Sequence, residues 1–166
     1  MKNPAICLFI LVIFLFPRNR AIANSFTDTS LLAEKNRSHL RLNEVNIHAA
    51  RHFEEEFHPG SEKWYKLDVG SVAVFTSNEI QNRVYYDADG RFQFAVKNYE
   101  EKLMSEELKK LIKRRFLGYT IQLVTEIMTD DQTIYKVHIK DRHTIKTVQV
   151  WGDQLKVTED YVNAEL

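Results

Sequence analysis

The order in which patterns change along the chain is its strongest constraint. A helix-like segment is followed by four strand-like segments, and then the same order begins again. In the first helical stretch, Leu42, Val45, Ala49, Phe53 and Phe57 recur at steps of three and four, which places them on one stripe. Pro59-Gly60 closes it, since proline blocks continuation and glycine tolerates the turn. Aromatic and β-branched residues then dominate 62–69, 71–77, 80–87 and 91–98, which read as strands. Short connections between them favour an antiparallel meander.

The pattern restarts near residue 102. Ser105 is a good N-cap for a second helix, with Glu106 and Glu107 in its first turn and Lys113, Arg114 and Arg115 in its last. That charge order complements the helix dipole, and Gly118 suits the stop. Strands are expected over 120–128, 133–140, 144–151 and 154–162. Phe57 corresponds to Phe116, and Phe75 roughly to Tyr135. The expectation is an α+β fold of two tandem repeats, 42–101 and 102–166. Each is a helix packed on a four-stranded antiparallel meander sheet. One such unit covers only one sheet face, so two side by side can share a core.

The N-terminus carries different information. Lys2 precedes an unbroken apolar run, Ala5 to Phe16, and Ala21-Ile22-Ala23 follows. This reads as a signal peptide over 1–23, cleaved after Ala23. The run is short of the roughly 20 residues that span a bilayer, so no stable membrane anchor is expected after cleavage. Cys7 lies too far upstream of the small residues for a lipoprotein site. Polar residues over 24–41 read as a flexible lead-in. The product is expected to be exported, periplasmic or secreted.

Charge and cysteine content narrow the function. The whole chain has 23 basic and 23 acidic residues; the leader removes Lys2, Arg18 and Arg20 and no acid, leaving −3. There is no basic excess to neutralise phosphates, which argues against nucleic acid. The single cysteine goes with the leader. A disulfide scaffold and a thiol nucleophile are thereby excluded, and a bacterial envelope fits an exported chain of this kind.

The stretch "VYYDADGRFQFAV", from Val84 to Val96, decides whether an acidic turn holds metal. The alternation pairs Val84 and Tyr86 with Phe94 and Phe92 on one face, so Phe94 is expected to face the helix. Gly90 would supply the positive φ of a type I turn with a bulge. A calcium loop needs further oxygen ligands and a distal Glu, where here a strand follows. The turn is read as a plain hairpin bend.

Several of these residues resemble a known family. The helix closing with Phe57 before Pro59-Gly60, then Trp64, Phe75, "VYYDADG" and a second helix ending "RRFLGY" are similar to the PepSY-like, beta-lactamase-inhibitor-like exported proteins of Bacteroidetes. The similarity runs from about Leu42 to Ala164, with Met104 where a proline would be expected. It implies tandem helix-plus-antiparallel-sheet units and no catalysis. For the better understood relatives it implies binding of proteins, including inhibition of hydrolases.

Chemistry is sparse in the residues themselves. His48 and His52 stand at i and i+4, a spacing that can share zinc, with Glu55 or Glu56 as a further ligand. Ala49 occupies the place of a zincin glutamate, so a solvated helix edge is expected and no metal or cofactor. Ser61, Ser71 and Ser77 lack a nucleophile-elbow pattern, and five glycines form no phosphate loop. No enzymatic activity is expected. Ten Phe, seven Tyr and two Trp are enough both to fill a core and to leave aromatics on the sheet face away from the helices. Tyr85, Gln93, Lys136, His138, Gln149, Trp151 and Lys156 are the candidate partner-binding residues there, since such aromatics often anchor binding. The leading expectation is a non-catalytic exported periplasmic binding module, inhibitory or regulatory toward another envelope protein. The alternatives are a carrier of a small or lipid-like ligand between helix and sheet, and a hydrolase.

Overall fold

The computed structural model describes residues 38–58 and 60–163. The signal peptide and cleavage point expected from the sequence, and the lead-in as far as residue 37, lie outside the described residues, as does Pro59. Nine strands run in chain order: β1 (His39–Leu40), β2 (Lys63–Lys66), β3 (Ser71–Ser77), β4 (Ile80–Tyr86), β5 (Phe92–Tyr99), β6 (Thr120–Met128), β7 (Thr133–Lys140), β8 (Thr144–Trp151) and β9 (Gln154–Val162). They form one antiparallel sheet in that same order. Helix α1 (Ile47–Phe57) precedes β2, and α2 (Glu106–Arg115) precedes β6. This is a mixed α+β architecture in which all nine strands belong to a single sheet, with β5 paired directly to β6. β1 lies inside the stretch read from sequence as lead-in.

Each helix is entered the same way. A single 3-10 turn, Leu42–Glu44 before α1 and Glu101–Leu103 before α2, leads into a capping residue. Asn46 accepts from the backbone N–H of His48 at 2.9 Å, and Ser105 accepts from that of Leu108 at 3.3 Å. These caps satisfy N–H groups that have no partner within a helix. The first helix is therefore shorter than its apolar stripe suggested, and Leu42 is 64% exposed. It ends at Phe57, with His58 in the left-handed region at φ 43°.

Both helices lie on one face of the sheet, over two apolar clusters. Under α1, Val45, Ala49 and Phe53 pack on Trp64, Ala73, Phe75, Val84, Tyr86 and Ala95. Phe53 is the hub: its ring meets Phe57 at 5.6 Å, Trp64 at 5.1 Å and Phe75 at 5.6 Å between centroids. Under α2, Leu108 and Ile112 pack on Ile121, Val124, Val137, Ile139, Val148 and Val150. Between the clusters, Glu126 accepts from Lys97 Nζ and from the Tyr99 hydroxyl, each at 2.9 Å. Burial, and then the charge of Glu126, push the Tyr99 phenol far above its ordinary value.

The acidic turn is a bend that also docks on α1. The Gly90 N–H donates to the Asp87 carbonyl at 3.1 Å, and the Arg91 N–H to Asp87 Oδ1 at 2.8 Å. Gly90 has φ +79°, as a turn glycine should. A Cβ there would also stand 2.5 Å from Asn46 Oδ1, so the turn presses against the cap of α1. Asn46 Nδ2 donates back to the Ala88 carbonyl at 3.3 Å.

The expected placement of Phe94 is corrected. Tyr86 pairs with Phe92, but Tyr85 pairs with Phe94, leaving Gln93 as an extra residue in β5. This bulge keeps Phe92 against the α1 cluster and turns Phe94 to the opposite face, where it stacks on Tyr85 at 4.4 Å.

Two outcomes follow for stability. Phe53→Ala should cost about 3–5 kcal/mol in urea denaturation, as for a buried aromatic in a packed core. Gly90→Ala should cost at least about 1–2 kcal/mol from the left-handed backbone alone, plus the displacement of Asn46. A Gly90→Ala protein as stable as the parent would show that the turn does not press on the cap.

Candidate functional site

The sheet has a second, far face, turned away from α1 and α2. Its occupants follow from the register. In β7, Val137 and Ile139 point into the α2 cluster, so Lys136 and His138 lie on the far face. In β8, Val148 and Val150 face the helix, so Gln149 and Trp151 lie opposite. Lys136 pairs with Gln149, and Gln149 with Lys156, which puts three long polar side chains in one row across β7, β8 and β9. Trp151 pairs with Gln154 at the end of the β8–β9 hairpin. Lys156 is exposed, His138, Gln149 and Trp151 are half-buried, and Lys136 is buried.

Five of the seven sequence candidates therefore share one patch on the three C-terminal strands. Tyr85 is on the same face but stands apart: it is in β4, three strands from β7, and four residues along the strand from Gln81, the position level with Lys136. Gln93 does not join Tyr85 as the alternation implied. It is the bulge residue, and its Nε2 donates to Asp87 Oδ2 at 3.2 Å, back into the turn.

The next row holds residues that sequence reasoning missed. His138 pairs with Thr147, and Thr147 with Glu159. His138 Nδ1 is 3.1 Å from Thr147 Oγ1, and the Thr147 hydroxyl donates to Glu159 Oε2 at 2.7 Å. Thr147 is only 3% exposed. Counting by twos from Lys156 puts Glu159 on the helix side. Thr158, an extra residue between Val157 and Glu159, reverses that. A similar extra residue, Gln122, lies between Ile121 and Leu123 in β6 and sets Leu123 opposite His138.

Chemically, this row is not a nucleophile with its base. A hydroxyl nucleophile gives its proton to histidine, whereas Thr147 gives its proton to a carboxylate. Burial pushes the His138 imidazolium below its usual range, Lys136 adds to this, and Glu159 opposes it. His48 and His52 also take no common role. His48 is exposed, while His52 Nδ1 is 3.0 Å from the Tyr86 hydroxyl and its ring stacks on Phe92 at 5.2 Å. Among the described residues, no group of three or more His, Cys, Asp or Glu is placed to hold a metal ion. No helix among them is long and apolar enough to cross a membrane.

The lowered His138 value has a sign. The folded state releases the proton more readily than the unfolded chain, so its contribution to stability is full above the ordinary histidine value of about 6.5. It is lost as pH falls from there through the lower folded value. Urea denaturation at pH 7.5 and 5.0 should show a smaller acid loss in His138→Gln than in the parent chain.

No known protein family matches this chain, and no curated protein does. Solved structures do. A DUF2874 family protein from Bacteroides ovatus aligns at TM-score 0.56 and 10% identity, over 74% of this chain and 90% of its own. A BLIP-like protein from Bacteroides fragilis aligns at TM-score 0.56 and 13% identity, over 73% and 89%. A protein from Bacteroides eggerthii, provisionally described as periplasmic, aligns at TM-score 0.54 and 13% identity, over 71% and 88%. At these identities the likeness is one of fold, and the chain shares the architecture of DUF2874 and BLIP-like proteins of Bacteroides.

Proposed function

We propose that the chain is an exported, non-catalytic module that binds another protein of the cell envelope through the far face of β7 to β9. The observation that carries this is the patch itself. Trp151, Gln149, Lys136, Lys156 and His138 converge on three adjacent strands, on the face that the helical core does not use. An aromatic beside long polar groups on a rigid sheet is the composition of a protein-binding hot spot. The BLIP-like description of the B. fragilis structure supports the same reading, and the periplasmic description of the B. eggerthii one agrees with the leader sequence.

The carrier reading receives less support. A cleft of about 200 Å³, lined by Gln81, Asn98, Tyr99, Lys102, Leu103 and Leu123 among others, is smaller than the roughly 300–1,000 Å³ of small-molecule sites. The hydrolase reading is disfavoured by the buried Thr147 hydroxyl, whose proton is already committed.

Within this reading the two halves are copies of one unit. Val45 and Met104, Asn46 and Ser105, Ala49 and Leu108, Phe53 and Ile112, and Phe57 and Phe116 are each separated by 59 positions. Each pair has one role: both members of the first, third and fourth pairs are buried, both of the second are caps, and both of the fifth are partly buried against their own cluster.

The test is capture from envelope extract by the exported chain, its Trp151→Ala variant and its Lys156→Glu variant. Trp151→Ala should weaken capture by about 2 kcal/mol or more while its denaturation midpoint stays near that of the parent. Capture unaffected by either change would remove this face as the binding surface.

A further inference from the structure

We infer that Glu159 and Thr147 form a tautomer lock on His138, leaving the ring's lone pair on Nε2. A single proton taken there turns this point of the far face from a hydrogen-bond acceptor into a cationic donor. The argument is one of proton counting. A carboxylate only accepts, so the 2.7 Å contact between Thr147 Oγ1 and Glu159 Oε2 contains the hydroxyl proton. A hydroxyl has one proton, so Thr147 offers His138 only lone pairs. The 3.1 Å contact to His138 Nδ1 is then a hydrogen bond in which Nδ1 donates. In the neutral ring this leaves Nε2 unprotonated, and no described residue hydrogen-bonds to it. An unconstrained histidine prefers the opposite tautomer, with its proton on Nε2, so the arrangement is imposed by its neighbours.

The surroundings define the switch. On β7, Lys136 and Lys140 flank the ring two residues away on each side. On β6 its cross-strand neighbour is the apolar Leu123, and on β8 it is Thr147. On β9, Glu159 lies behind Thr147, and Lys156 is in the adjacent row. Burial and Lys136 oppose a positive ring, and Glu159 favours it. Protonation leaves the Nδ1 donation in place, because the imidazolium donates from both nitrogens. Only the chemistry at Nε2 changes. Above the transition the site takes an N–H or O–H donor; below it, an acceptor such as a carbonyl or carboxylate.

The experiment uses the free exported chain and needs no partner. Long-range proton–nitrogen NMR of the 15N-labelled protein, with His138→Gln to assign the ring, reads the state of each nitrogen. At pH 7.5, Nδ1 should be protonated and Nε2 not, and acidification to pH 5 should change Nε2 alone. Thr147→Val should move the population toward the Nε2–H tautomer, and Thr147→Ser should retain the lock. Glu159→Leu, which removes the acceptor and lets the threonine proton turn toward the ring, should release it and serves if the valine variant does not fold. An Nε2–H tautomer in the parent chain would overturn the inference. So would a tautomer unmoved by either Thr147→Val or Glu159→Leu. Because the readout is the ring itself, such a failure leaves the binding proposal to be judged by capture alone.

Discussion

The ladder between β5 and β6 is the constraint on which the rest depends. Ala95 to Tyr99 pair with Met128 to Val124, although α2 and its 3-10 turn lie between the two strands in sequence. The chain must leave the sheet, form a helix and return to the neighbouring position antiparallel. α2 comes to lie on the same face as α1, because Ala95 and Tyr99 share a side of β5 yet belong to different helix clusters. Without this ladder there would be two small sheets, each with an additional exposed edge. The seam is filled by Lys97, Glu126 and Tyr99 rather than by apolar side chains. A partly buried carboxylate is costly unless its lone pairs are met, and here a cation and a phenol meet them.

Much of the fold was legible because alternation and capping are local. Segments such as 71–77, 120–128 and 133–140 carry their own period, bounded by turn residues, and the structure has strands over the same residues. Ser105 followed by two glutamates marks the start of α2 for a similarly local reason. β1 was not legible, since a two-residue strand has no period to detect. The early start of the first helix was misread because Leu42 and Val45 continue the apolar spacing through a 3-10 turn.

The site was less legible than the fold, and the cause is specific. Gln93, Gln122 and Thr158 each add one residue to a strand. An extra residue reverses the face of everything beyond it and leaves no trace in composition. Phe94 was placed on the wrong side for this reason, and Glu159 was missed. Lys136, His138, Gln149 and Trp151 were placed correctly because β7 and β8 pair with each other without interruption. The far face therefore differs along its width. Around β4 and β5 it carries the Tyr85–Phe94 stack, and around β7 to β9 it carries lysines, an amide and a histidine hydrogen-bonded to a threonine.

The contact between the hairpin turn and the cap of α1 has a consequence for how the chain acquires its structure. Asn46 and Ala88 are 42 positions apart, so the N-terminus of α1 is completed by residues made much later. An eleven-residue helix is marginal in isolation. Both helices carry a cap within their own segment, Asn46 on the His48 N–H and Ser105 on the Leu108 N–H, but the cap of α1 is itself held by the hairpin turn, so it is complete only once β4 and β5 have emerged. Contacts of such long sequence separation slow folding through the entropy of closing the intervening loop. The nascent chain would thus carry the apolar stripe of α1 uncovered until the turn arrives, an interval in which a chaperone would find a binding segment.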